Sequence, residues 1–150
     1  MEMTRRDVCS MFSAILAPSL FSLDTSAQES GPARSVLPSA NFPFEKLPVR
    51  TSNGIESRAV FKGKLATGES VEVHETTLPP GGAPHPPHHH LHSEMWLVRE
   101  GTIEITVNGS VAQLGPGSVG FVRSNDEHGI KNPGTAPAAY FVVAIGPTAA

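Results

Sequence analysis

From residue 45 onward the chain holds no long window with apolar side chains at helical spacing. It alternates instead in short runs cut by turn residues. Ser57 to Leu65 forms one such run, Ala66-Thr67-Gly68-Glu69 turns it, and Ser70 to Leu78 returns. Pro79-Pro80-Gly81-Gly82 ends that pattern, and His88 to Leu91 and Glu94 to Arg99 follow. Thr102 to Val107 and Ser110 to Leu114 flank Asn108-Gly109, the strongest short hairpin signal in the chain. Val119 to Val122, Gly129 to Asn132 and Ala138 to Ile145 complete eight or nine short strands. Close antiparallel spacing of that kind predicts an all-β fold, a barrel or jelly-roll sandwich. Fourteen glycines and fourteen prolines support the same choice over a helical fold. The last run, Ala138 to Ile145, is apolar on both faces, so cover is expected on both sides, one of them from a partner subunit.

The segment from Pro84 to Glu94 then places His85, His88, His89, His90 and His92 next to a carboxylate, with His128 downstream. Neutral imidazole and carboxylate are donors for borderline divalent metals. Strand side chains alternate faces, so His88 and His90 point one way and His89 the other. A turn near His92-Ser93 returns Glu94 beside them, and His128 supplies a fourth ligand from a later strand. Three imidazoles and one carboxylate suit one divalent transition metal: Fe, Mn, Ni, Cu or Zn. His85, His89 and His92 are read as surface residues or neighbours of the ligands, and His74 as a surface or packed histidine. A shifted pair, His90 with His92, would lose the Glu and Gly spacings. Alternation from Glu94 turns Trp96 and Val98 inward, and alternation from His128 turns Ile130 and Asn132 inward. With Phe121 and either Tyr140 or Phe141, these are the expected substrate-pocket residues. Arg123 is either a solvated charge or a residue of the barrel mouth.

From Gly82 the chain reads Gly, five residues, His88, one, His90, three, Glu94, six, Gly101. This resembles the first motif of the cupins at every fixed position. The second motif is met in part: Gly117 opens it, His128 takes its histidine place and Asn132 follows. Arg123 stands where that motif usually has Pro, and Asn125 where it usually has Gly; Asn tolerates positive φ, so the turn survives. The resemblance covers about Ser57 to Ile145. It implies a double-stranded β-helix barrel with one metal held by His88, His90, Glu94 and His128. The short interval from Gly101 to Gly117 resembles small single-domain cupins, which commonly form homodimers.

Ahead of the barrel lies a different kind of sequence. Thr4-Arg5-Arg6, a moderately apolar stretch from Val8 to Leu23, and Thr25-Ser26-Ala27 together read as a cleavable signal peptide over residues 1–27. The paired arginines resemble a twin-arginine leader, although Val8 and Cys9 replace the bulky pair usual there. Periplasmic or secreted localisation is the expectation, and the segment is too short and polar for a stable membrane span. Residues 28–45, rich in Ser, Pro, Gly and Ala, read as a flexible arm, and 46–150 as the barrel domain. Cys9 is the only cysteine, so the part after the leader has neither disulfides nor thiolate ligands. A net charge of −3 offers no basic surface for nucleic acid.

Three functions fit these residues. In the first, a small chelating substrate, an enediol, flavonol-like or β-diketone compound, is oxidised by a dioxygenase with Glu94 as catalytic base. In the second, the metal is only a Lewis acid, and Glu94, Tyr140 or His92 moves protons in a lyase or isomerase acting on sugar acids or similar molecules. In the third, the chain is a non-catalytic periplasmic module that binds metal or sugar. The fold hosts all three.

Overall fold

The computed structural model describes residues 36–147, so the expected leader lies outside the described residues. A short 3-10 helix, Phe44–Lys46, precedes nine strands. These are β1 (Val49–Ser52), β2 (Ile55–Lys64), β3 (Ser70–Leu78), β4 (Ser93–Glu100), β5 (Ile103–Val107), β6 (Ser110–Leu114), β7 (Val119–Val122), β8 (His128–Lys131) and β9 (Ala138–Gly146). They form two antiparallel sheets, a six-stranded one in the order β1-β2-β3-β9-β4-β7 and a three-stranded one in the order β6-β5-β8. The described residues are thus almost entirely β, as the alternation predicts. No described helix is long and apolar enough to cross a membrane.

Residues paired across neighbouring strands share a face of the sheet. Pairs Thr76–Tyr140–Val98 and His74–Val142–Trp96 therefore face inward together. Trp96, Val98, Tyr140 and Val142 meet Ile103, Ile105 and Ile130 of the smaller sheet in one buried cluster. At roughly 1.5–3 kcal/mol per fully buried large apolar side chain, this cluster is the main source of cohesion between the sheets. Asn132, 1% exposed, closes one end of it. Its amide nitrogen donates to the carbonyls of Leu78, Pro79 and Ala136, and its oxygen accepts from the Gly134 N–H.

Three expectations change. His88 to Leu91 is no strand: only His88 pairs, in an isolated bridge with His128, because the surrounding prolines break the ladder. A strand ahead of Ser57 was not expected. β1 pairs with β2 through Asn53-Gly54, both at positive φ, a second Asn-Gly hairpin. The supposed flexible arm is docked from Val36 onward. Val36 bridges to Lys64, and the Leu37 N–H donates to the Lys64 carbonyl at 2.8 Å. Asn125 does adopt the left-handed conformation, at φ +65°.

On the outer face of the large sheet Glu75 is fully buried, with no exposed surface. Arg99 Nη2 lies 2.8 Å from one of its oxygens and Arg58 Nε lies 3.3 Å from the other. Both guanidinium groups sit over the ring of Phe44, about 5 Å from its centre. The segment ahead of the barrel thereby covers part of this ion cluster, leaving Arg99 in contact with water. Further along the same face Leu97, Val119 and Phe121 are exposed. β9 runs between β3 and β4, which buries its inner side chains, while Phe141 and Val143 on the outer side are only half-buried.

Candidate metal centre

The reciprocal backbone hydrogen bonds between His88 and His128, 2.9 and 2.8 Å, pin the loop after Pro87 against the start of β8. This brings the rings of His88, His90 and His128 together, with centroids 4.6 to 5.2 Å apart. One nitrogen from each lies within 4.8 Å of the others.

Two of the rings are oriented by their other nitrogen. His90 Nδ1 lies 2.8 Å from the His92 carbonyl, and His128 Nδ1 lies 2.9 Å from the Asp126 carbonyl. A carbonyl can only accept, so each Nδ1 carries the hydrogen and each Nε2 presents a lone pair. His90 Nε2, His128 Nε2 and His88 Nδ1 are buried without a hydrogen-bond partner. Buried polar atoms are nearly always satisfied, so unpaired nitrogens on three histidines of one cluster call for a cation. Glu94 stands beside them: one oxygen is 3.3 Å from His90 Nε2, the other 3.7 Å from His128 Nε2. The donor set, neutral nitrogens with one carboxylate, fits a divalent transition metal. Burial and the neighbouring imidazoles of His85, His128 and His90 hold the His88 pKa below its ordinary value, which favours the neutral, ligating form.

The remaining histidines divide. His89 is exposed, turned away from the cluster. His85 packs edge-on against His88, and His92 stacks on His90 while its Nε2 lies 3.2 Å from Glu94. His92 therefore braces both a ring and the carboxylate. Arg123 is mostly exposed and pairs with Asp126 at 2.9 Å, away from any cavity wall.

A cleft of about 680 Å³ opens beside the cluster, lined in part by His88, His90, His92 and Glu94. None of the six expected pocket residues lines it. Trp96, Val98, Ile130 and Tyr140 do face inward, yet at that depth inward means the packed core. Trp96 lies under His128, ring centroids 5.5 Å apart. Burial pushes the Tyr140 hydroxyl above the ordinary tyrosine range, opposed by Thr76, and its side chain lies in the core rather than on the cleft. Asn132 is consumed by its loop contacts. Phe121 is 62% exposed, because β7 pairs it with Met95 on the outer face, whereas Val122 pairs with Glu94 and is buried.

The wall that sequence reasoning missed comes from β2 and β3. Lys62, Glu72, Ala144 and Glu94 form one row across four strands. Lys62 Nζ meets Glu72 at 2.6 Å, and His74 lies 3.9 Å from the same carboxylate. Burial lowers the His74 pKa, opposed by Glu72 and Glu94. The alternation of Glu72 and His74 was visible in the sequence; their neighbourhood with Glu94 was not.

Residues 74–144 match the family model of the cupin domain. Over 82 residues the chain is 37% identical to L-ectoine synthase of Bordetella petrii, covering 53% of this chain and 59% of that protein. Over 73 residues it is 33% identical to mannose-1-phosphate guanylyltransferase ManC of Salmonella typhimurium, covering 49% and 15%. The chain thus spans less than two thirds of each of these relatives. An RmlC-like cupin structure from Shewanella frigidimarina superposes with a TM-score of 0.60 at 21% identity, covering 73% of this chain and 93% of that one. Family match and motif histidines fall on the same segment of the two-sheet barrel, and residues 74–144 form a cupin domain.

Proposed function

We propose that the protein is a metal-dependent enzyme acting on a small substrate that chelates through adjacent oxygens, with Glu94 as the base. The observation that carries this reading is a cluster of buried, unpartnered imidazole nitrogens, of His88, His90 and His128, beside a cleft of small-molecule size that His88, His90 and Glu94 line. A bound divalent metal would be held by His88, His90, His128 and Glu94. It would supply Lewis acidity toward the substrate oxygens and, as Fe, Cu, Ni or Mn, a redox couple. The residues of the chain do the rest. His92 and the carbonyls of His92 and Asp126 fix the donor rings. Glu94, 15% exposed and within reach of both His90 and His92, would leave the metal to take a proton from a substrate in the cleft. The packed floor of Trp96 and Val142 keeps water from the far side.

The leading form of this reading is a dioxygenase on an enediol, flavonol-like or β-diketone compound, supported by a donor set that suits redox metals. The relative named as a synthase supports a second form, a redox-neutral lyase or isomerase acting on sugar acids or similar small molecules. Elemental analysis and oxygen uptake separate them. Fe, Cu, Ni or Mn with oxygen consumption supports the first, and Zn without it the second. Under either, Glu94→Gln lowers kcat by roughly 10²–10⁴. An unchanged kcat in Glu94→Gln overturns the role given to that residue.

A further inference from the structure

We infer that Val36, held by a Leu37 anchor, forms an apolar wall of the cleft and selects substrates carrying an apolar body behind their chelating head. This rests on the proposed substrate class and extends it.

The segment Val36-Leu37-Pro38 lines the cleft together with Val71 and Ala144. It is docked on the end of β2 that β1 leaves unpaired, by the isolated Val36–Lys64 bridge and the 2.8 Å hydrogen bond from the Leu37 N–H to the Lys64 carbonyl. Paired residues share a face, so Val36 stands beside Lys64 in the inward row that contains Ser70 and Gly146. Leu37 then points to the opposite face, where it rests on Gly63. A Cβ at Gly63 would lie 2.7 Å from Leu37 Cγ, so a larger residue there forces the Leu37 side chain to shift. Val36 itself is 52% exposed. Among the described residues, this half-exposed β-branched side chain at the rim of the cleft is placed for contact with a bound molecule. The polar groups at the opposite end, Glu94 and the histidines, hold the head of that molecule, so its apolar part lies toward Val36.

The test uses n-alkyl hydroxamates from acetyl to octanoyl as chelating probes, titrated by calorimetry into full-length protein loaded with zinc. Metal content is measured first. In the wild type, affinity rises by about fourfold per methylene over part of the series, the transfer gain of a buried CH₂ group. In Val36→Ser the rise drops to less than about twofold, and in Gly63→Ala, which lifts Leu37 from its seat, it drops likewise. Val36→Ser changes an exposed side chain and keeps the test intact should Gly63→Ala not fold. A flat series in the wild type, or a slope that either folded variant leaves unchanged, overturns the inference. Loss of the metal site lowers all affinities together and leaves the slope, so failure of the proposed metal centre is a separate result.

Discussion

Loading the histidine cluster with metal should raise the melting temperature by about 10 °C. Three buried imidazole nitrogens have no hydrogen-bond partner. An unsatisfied buried polar atom costs about 1–3 kcal/mol, and the low end applies beside a cleft that water can enter. A cation meeting all three removes about 3 kcal/mol of strain from the folded state. Mass action gives a similar size: a ligand at a hundredfold its Kd stabilises by about 2.7 kcal/mol. For a domain of this size each kcal/mol moves the Tm by roughly 4 °C. The assay is calorimetric melting of chelated and reloaded protein, with metal counted by elemental analysis. His90→Ala and His128→Ala should abolish both stoichiometric metal and the shift. His89→Ala should keep both, since His89 faces solvent. A melting curve indifferent to chelation would refute the argument from orphaned nitrogens, and equal metal loss in His89→Ala would refute the assignment of faces.

Two further predictions concern stability. Glu75→Ala takes a fully buried carboxylate from Arg58 and Arg99, which keep Glu56 and Glu100 as partners and, for Arg99, contact with water, so the cost is about 2 kcal/mol rather than that of a fully buried pair; urea unfolding showing a loss under about 0.5 kcal/mol would contradict it. His74 has its folded-state pKa depressed by burial, so its contribution is complete above the unfolded value of 6.5 and is lost as pH falls through the folded value. His74→Gln should therefore flatten the decline of stability on acidification below pH 6.5, read from melting temperatures across that range. An identical pH profile in the variant would remove His74 from the account.

Much of the barrel was legible because its signals are local. A strand announces itself by alternation and a hairpin by Asn-Gly, and both depend on a few consecutive residues. Even so, β1 escaped notice, although Asn53-Gly54 carries the same turn chemistry as Asn108-Gly109. The spacing of His88, His90 and Glu94 marked the site, and the chain brings those three together with His128. Its strand expectation failed between His88 and Leu91, where only His88 finds a strand partner and Pro84, Pro86 and Pro87 prevent the ladder from extending ahead of it.

The pocket was the larger miss, and its cause is geometric. Alternation tells which way Trp96, Val98, Ile130 and Tyr140 point, and they do point inward. It does not tell how deep the barrel is filled, which depends on the side chains arriving from the opposite sheet. Phe121 and Val122 likewise exchange roles through a single step of register between β4 and β7.

The amino-acid order alone determined the fold class, the candidate ligands and the turns, because each is written in the spacing of near neighbours. Only the tertiary structure decided the cleft. Its walls come from Val36, Lys62, Glu72 and His74, which lie far from Glu94 along the chain. Which strands become neighbours, and how much of the interior their side chains fill, is settled by packing between sheets, and no local pattern encodes it.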